Sequence, residues 1–117
     1  RVVVATDGTS GDPDGRFTPA EFVATRRGES QAGLRLLGVH DVRFWGFPDG
    51  HVLSETDLRN AAALAARELA EHQPDVVYLP WELDGHPDHH ALHVIVTRIH
   101  DRTPWLGRLL TRSRDFR

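Results

Sequence analysis

The sequence contains no cysteine and no long apolar run, and each absence excludes a class of structure or chemistry. A chain without cysteine has no disulfides, no thiol nucleophile and no thiolate metal site. Any metal must therefore be bound by histidine, aspartate or glutamate, which suit a borderline or hard divalent cation. Because no apolar segment is long enough to span a bilayer and no signal peptide is visible, the sequence predicts a cytoplasmic protein with no membrane span.

The balance of charge argues against a polyanionic partner. The 117 residues carry a formal net charge of −3, so there is no electrostatic case for binding nucleic acid or an anionic membrane. A chain of this length is expected to form a single domain, residues 1–117. Nothing in the composition indicates an oligomeric state.

Apolar segments alternate with helical patterns along the chain. Three segments bounded by turn residues predict buried strands over Arg1–Thr6, Val42–Phe47 and Asp75–Pro80. Three helices are predicted: one capped by Thr18 and running to Leu37, one capped by Ser54 and ending before Pro74, and one beginning near Pro87. The segment from Asp7 to Phe17 predicts a long flexible loop, and the basic tail from Thr103 to Arg117 predicts a further helical turn or a frayed end. This alternation implies an α/β fold with a parallel sheet, in which ligands bind beyond the carboxyl ends of the strands.

A charged residue interrupts the apolar face of the first predicted helix. Phe22, Val23, Leu34 and Leu37 fall on one face, and Arg26 lies in the middle of it. An arginine in such a position usually has an anionic partner. Two interpretations stay open: an ion pair with Glu29 at the border of the face, or a contact between Arg26 and a substrate oxygen at the end of the sheet.

Four of the eight histidines lie in the ten residues "DGHPDHHALH", Asp84–His93. Pro87 suits the first position of a helix, and a helix N-terminus disfavours a charged imidazolium, so His89 is expected to be in the neutral form that binds a metal. Asp88 is close enough in sequence to orient a neighbouring histidine. A polar helix start without metal chemistry remains the alternative, because a catalytic zinc needs three protein ligands and this segment does not supply a full set.

Several motifs, taken in order, resemble those of the LmbE-like, or PIG-L, family of zinc-dependent N-acetylglucosaminyl deacetylases. They are "VVVATDGTSG" from Val2, "RRGESQAGLRLLGV" from Arg26, "FWGFPDG" from Phe44 and "PDVVYLPWELDGHPDHHA" from Pro74 to Ala91. The resemblance therefore covers most of the chain, and the H-P-D-H motif after a buried strand is its most specific part.

The resemblance implies a role for five residues. His89 is similar to the family's metal-binding histidine, and His86 to the histidine that, when protonated, stabilises the oxyanion and protonates the leaving amine. Asp88 is similar to the aspartate that pairs with that histidine. Arg26 resembles the family's substrate-binding arginine, and Asp49 is assigned a sugar contact or a role in positioning its loop.

The family's first motif, A-H-P-D-D-E, which carries two further zinc ligands and the aspartate general base, is absent from these 117 residues. The resemblance thus implies a Rossmann-like three-layer α/β sandwich with a mostly parallel sheet, lacking the N-terminal strand, and a Zn²⁺ ion with its other ligands outside this chain.

The implied reaction is metal-dependent hydrolysis of the N-acetyl group of an N-acetylated amino sugar or glycoconjugate, with the 117-residue chain itself inactive. The rival hypothesis is a non-catalytic domain of the same fold that binds a sugar or a partner. A generic nucleotide binder ranks last, because no G-x-G-x-x-G follows a strand.

Overall fold

A computed structural model describes residues 1–50, 54–102 and 107–111, with the side chains of residues 110 and 111 left out. The chain divides into two compact units, an N-terminal unit over Arg1–His51 and a C-terminal unit over Val52–Arg117. Strands and helices alternate in both, and every strand pairing in the described residues is parallel. The predicted α/β class is therefore confirmed. In the described part of the chain, no helix is both long and apolar enough to cross a bilayer.

The N-terminal unit is a strand–helix–strand arrangement. β1 (Val2–Thr6) pairs in parallel with β2 (Val42–Phe47), with Val2 opposite Val42 and an irregularity between Val4 and Thr6. A short 3-10 helix, Thr9–Gly11, follows β1, in the segment predicted to be a flexible loop. Helix α1 (Pro19–Leu36) joins the strands and begins with the expected capping box, since Glu21 N–H donates to the Thr18 hydroxyl and Thr18 N–H donates to the Glu21 carboxylate.

The apolar face predicted for α1 is only half covered. None of its residues is fully buried, although Phe22, Val23 and Leu34 are partly so. Leu37 is 78% exposed. Leu37 is the C-cap of the helix, with φ −91° and ψ 6°. Because its backbone is no longer helical, the helical period does not determine which way its side chain points. Gly38 follows with φ +76°, as expected of a glycine that ends a helix.

The C-terminal unit packs two helices against each other beside a second pair of strands. α2 (Glu55–His72) buries Ala61, Ala65 and Leu69, spaced four residues apart, and α3 (Pro87–His100) buries Ala91, Ile95 and Val96. Small residues at this spacing let two helices approach closely, and the contact forms the core of the unit.

The C-terminal strand pair includes an element that the sequence did not predict. β3 (Val76–Leu79) pairs in parallel with β4 (Arg108–Thr111), Val76 opposite Arg108 and Leu79 opposite Thr111. The expectation of helix or frayed chain after residue 103 is therefore wrong for these four residues. The rest of that tail, residues 103–106 and 112–117, lies outside the described part. A four-residue strand is fixed by pairing with a distant partner, which local sequence does not report.

Candidate functional site

In the N-terminal unit, the loops that follow β1 and β2 are tied together by two carboxylates. Asp49 accepts the N–H of Gly8 at 3.2 Å with one oxygen and the N–H of Ser10 at 3.0 Å with the other. The Asp7 carboxylate accepts the N–H and hydroxyl of Thr9, at 3.0 and 2.7 Å, and the N–H of Asp49 at 3.4 Å. The two loops therefore meet at the carboxyl ends of their strands, as the parallel arrangement predicts. In this geometry Asp49 holds the β1 loop in place.

Arg26 lies beside these loops, on the side of α1 that faces the end of β1. Its aliphatic stem crosses Gly8, since a Cβ built on that glycine would lie 3.3 Å from Arg26 Cγ. Its guanidinium pairs with Glu29, one turn further along the helix. The ion pair foreseen as one interpretation is thus present. The Arg26 side chain remains 52% exposed.

A cleft of about 170 Å³ opens between β1, β2 and α1. Arg26 and Arg27 line one side, and Thr6, Asp7 and Ser30 add polar groups. The Arg27 guanidinium lies 5.3 Å from the centroid of the Phe44 ring, a cation–π contact that keeps it against the wall of the cleft. The N-terminal unit therefore offers a small cleft of mixed lining with two cationic side chains.

In the C-terminal unit, the H-P-D-H segment forms the start of α3. His86 is the N-cap, and its Nδ1 atom accepts the N–H of Asp88 at 3.2 Å. Pro87 occupies the first helical position, where its missing N–H costs nothing. Asp88 is only 4% exposed and lies in the first turn, where the helix dipole favours a negative charge. The predicted helix start is thus confirmed, with a histidine as the capping residue.

His89 faces a carboxylate that the sequence reasoning did not single out. Nδ1 of His89 is hydrogen-bonded to Oδ2 of Asp84, and Oδ1 of Asp84 accepts the backbone N–H of His86 at 2.9 Å. Both hydrogen bonds lower the pKa of Asp84 below its usual value. The bond from the His86 backbone N–H has the larger effect, and the bond with His89 has the next largest. Asp84 is therefore ionised at neutral pH and acts only as an acceptor.

The imidazole rings of His86 and His89 stack, with centroids 4.6 Å apart and planes 26° apart. The other two histidines of the segment turn toward the preceding loop instead. His90 Nδ1–H donates to the carbonyl of Glu82 at 3.2 Å, and His93 Nδ1–H donates to the carbonyl of Pro80 at 3.1 Å. Only His86 and His89 thus form a pair, and the neighbouring histidines fasten the loop to the helix.

The predicted residues fall into two groups. Arg26 and Asp49 belong to the N-terminal unit, and His86, Asp88 and His89 belong to the C-terminal unit. Asp84 is the addition that the structure makes. The signal for it was the dipeptide Asp84-Gly85 directly before His86: an aspartate often accepts the N–H two residues on, and Gly85 adopts φ +89° here.

One histidine of the pair, His89, has the hydrogen-bond arrangement of a metal ligand. With Nδ1 bonded to Asp84, His89 has Nε2 left for a metal, the arrangement common among metal-binding histidines. Within residues 1–50, 54–102 and 107–111, however, no three histidine, aspartate or glutamate side chains are grouped so as to hold a metal ion. The described residues therefore fit one ligand and do not make a complete site.

Comparison with known proteins agrees with the motifs. Residues 1–100 match the family model described as PIG-L: GlcNAc-PI de-N-acetylase. A comparison with curated proteins gives no match. Among solved structures, the chain is similar to N,N′-diacetylchitobiose deacetylase from Pyrococcus horikoshii in complex with its inhibitor MPG, with a TM-score of 0.72 and 23% identity. The alignment covers 94% of this chain and 47% of that one, so the chain spans about half the length of this neighbour and shares its fold. Since the family model covers most of the sequence, the chain belongs to the GlcNAc-PI de-N-acetylase (PIG-L) family.

Proposed function

We propose that the protein contributes to metal-dependent hydrolysis of the N-acetyl group of an N-acetylglucosamine-type sugar or its conjugate. The observation that carries the proposal is the family match over residues 1–100, whose H-P-D-H motif forms the N-terminus of α3. The name of the structural neighbour supports the same substrate class, because diacetylchitobiose is an N-acetylated amino sugar.

His89 is proposed as one ligand of a divalent metal, with zinc as the expected ion. Its Nε2 atom is the one left available, because Nδ1 is bonded to Asp84. When bound, such a metal activates a water molecule at neutral pH and polarises the acetamide carbonyl. The remaining ligands are expected from outside the described residues, which contain no group of three.

His86 and Asp88 are proposed as the catalytic pair. Nδ1 of His86 accepts the Asp88 N–H, so Nε2 is the ring atom proposed to stabilise an oxyanion and to pass a proton to the leaving amine. The Asp88 carboxylate lies buried in the first turn, two residues from His86. It is proposed to support positive charge on that ring when the proton is needed.

Arg26 and Asp49 are proposed to act on the substrate side. The Arg26 side chain is half exposed and lines the cleft, and its guanidinium can donate to sugar or acetamide oxygens, with Glu29 limiting its movement. Both carboxylate oxygens of Asp49 are bonded to the β1 loop, so its contribution is to fix the loop on which the arginine stem rests. A cytoplasmic location remains an expectation of the sequence.

The test compares the 117-residue chain with an extended form in which an A-H-P-D-D-E segment precedes Arg1. Zinc content and acetate release from N-acetylglucosamine and diacetylchitobiose are measured for both. We expect activity and about one zinc per chain in the extended form only, and loss of both on His89→Ala. His90→Ala is the matched control, because the His90 ring faces the Glu82 carbonyl and should leave zinc and activity unchanged.

Three results would contradict parts of this proposal. Stoichiometric zinc in the 117-residue chain would mean that the ligand set is different, with His86, His90 and His93 to be reconsidered. Zinc retained after His89→Ala would remove His89 from the ligands. Sugar binding by both forms without any zinc would favour the non-catalytic sugar-binding alternative.

A further inference from the structure

The two stacked histidines at the start of α3 have different hydrogen-bond partners at the same ring atom. At His86, Nδ1 accepts the N–H of Asp88, a group that can only donate. The lone pair must therefore be on Nδ1, and the ring proton of the neutral imidazole must be on Nε2.

At His89 the partner of Nδ1 is an acceptor. Oδ2 of the Asp84 carboxylate faces Nδ1 of His89, and a carboxylate oxygen accepts, so Nδ1 of His89 carries the proton and donates. The carboxylate cannot turn away freely, because its other oxygen holds the backbone N–H of His86 at 2.9 Å. The lone pair of a neutral His89 is thereby placed on Nε2.

We propose that His86 and His89 are held in opposite neutral tautomers, with the proton on Nε2 of His86 and on Nδ1 of His89. Asp84 is the positioning residue that sets the second tautomer. The stacked rings then present one N–H donor and one lone pair, 4.6 Å apart between centroids. This deepens the proposed function, on which its catalytic meaning rests, because an oxyanion needs the donor and a metal needs the lone pair.

The tautomers are measurable without any turnover. Long-range proton–nitrogen-15 correlation spectra of the metal-free chain at neutral pH report which ring nitrogen of each histidine carries the proton. We expect Nε2 for His86 and Nδ1 for His89. His90 is the internal reference, since the Glu82 carbonyl faces its Nδ1 atom and requires Nδ1–H. The same tautomer at His86 and His89, or protons on both nitrogens of either ring, would overturn the proposal.

Asp84→Asn separates positioning from a merely structural role. The amide oxygen of the substituted side chain must face the backbone N–H of His86, which can only donate, so the NH₂ group turns toward His89. An amide NH₂ donates, and His89 should then change to the Nε2–H tautomer while the turn at residues 84–86 is kept. Glu82→Gln is the matched control: it also removes one negative charge from this loop, but its carboxylate faces His93 and not His89.

The result expected is a change of tautomer at His89 alone in Asp84→Asn, and no change at His86 or His89 in Glu82→Gln. If His89 keeps Nδ1–H in the Asp84→Asn variant, Asp84 does not set its tautomer and the proposal is wrong. Opposite tautomers together with an inactive extended chain would instead refute the proposed deacetylation and leave the tautomer assignment standing.

Discussion

Gly8→Ala should disturb the N-terminal unit more than an ordinary glycine substitution, because two separate costs meet at this position. Gly8 has φ +78°, and placing an L-residue in the left-handed region costs about 1–2 kcal/mol. A Cβ there would also lie 3.3 Å from Arg26 Cγ, a position in the middle of the stem that cannot simply swing aside. Moving Cγ away drives the side chain off its rotamer, which adds about 0.5–1.5 kcal/mol.

Gly15→Ala is the matched control for this prediction. Gly15 also has a positive φ, +62°, but nothing lies within 4 Å of the Cβ that would be added. Both variants therefore include the backbone cost, and only Gly8→Ala includes the contact with Arg26. The difference in their free energies of unfolding should be about 0.5–1.5 kcal/mol.

Native-state hydrogen exchange of the β1 amides measures this difference, because it reports the opening of the strand that leads into Gly8. The Arg26 Nε–H signal in a proton–nitrogen-15 spectrum gives a second readout, since the displaced stem should weaken the pairing of the guanidinium with Glu29. Equal exchange rates in the two variants, with an unchanged Arg26 signal in Gly8→Ala, would refute the claim that Gly8 is required by the arginine stem.

Three further predictions concern stability. Leu69→Ala removes a buried side chain from the contact between α2 and α3 and should lower the free energy of unfolding in urea by about 2–5 kcal/mol. Leu36→Ala, at a side chain that is 89% exposed, should change it by less than about 0.5 kcal/mol. Equal effects of the two substitutions would contradict the assigned core. Thr18→Ala should cost about 1 kcal/mol and speed amide exchange in the first turn of α1, with Thr18→Ser as the variant that restores protection. The pKa of Asp12 is lowered chiefly by the N–H of Phe17, so its contribution to stability is present above the unfolded value of about 3.9 and is lost as the pH falls through the lower folded value. A carbon-13 titration of that carboxyl that gave an ordinary or raised midpoint would contradict this assignment.

Much of the secondary structure follows from local sequence signals. The T-P-A-E sequence predicted the start of α1, and the capping box is present because both of its partners lie within one turn. Ser54 and Pro87 likewise marked the starts of α2 and α3. Those signals act over three or four residues and need no tertiary contact. β4 escaped prediction for the opposite reason, since Arg108–Thr111 is a strand only through its pairing with β3.

The site residues divide in the same way. The motifs identified His86, Asp88 and His89, because proline and histidine at fixed spacing are visible in the sequence. Asp84 was passed over, although it is in the same ten residues, because its importance depends on a turn at Gly85 that brings its carboxylate back against His89. The double role of Arg26 also needed coordinates: the helical period placed it on the apolar face, but only the structure shows its stem resting on Gly8 and its charge paired with Glu29.

The proposed function assigns opposite tasks to two histidines of the H-P-D-H motif that are three residues apart, one as a donor and one as a ligand. Different protonation states of the stacked rings are one solution, with positive charge on His86 supported by Asp88. The hydrogen-bond partners favour another solution, in which the two rings carry the proton on different nitrogens. Pro87 fixes where the helix begins, the helix start makes His86 a cap that accepts at Nδ1, and Asp84 makes His89 donate at the same atom. Under the proposed function, His86 then offers Nε2–H to an oxyanion and His89 offers the Nε2 lone pair to a metal, and both arrangements follow from the start of one helix.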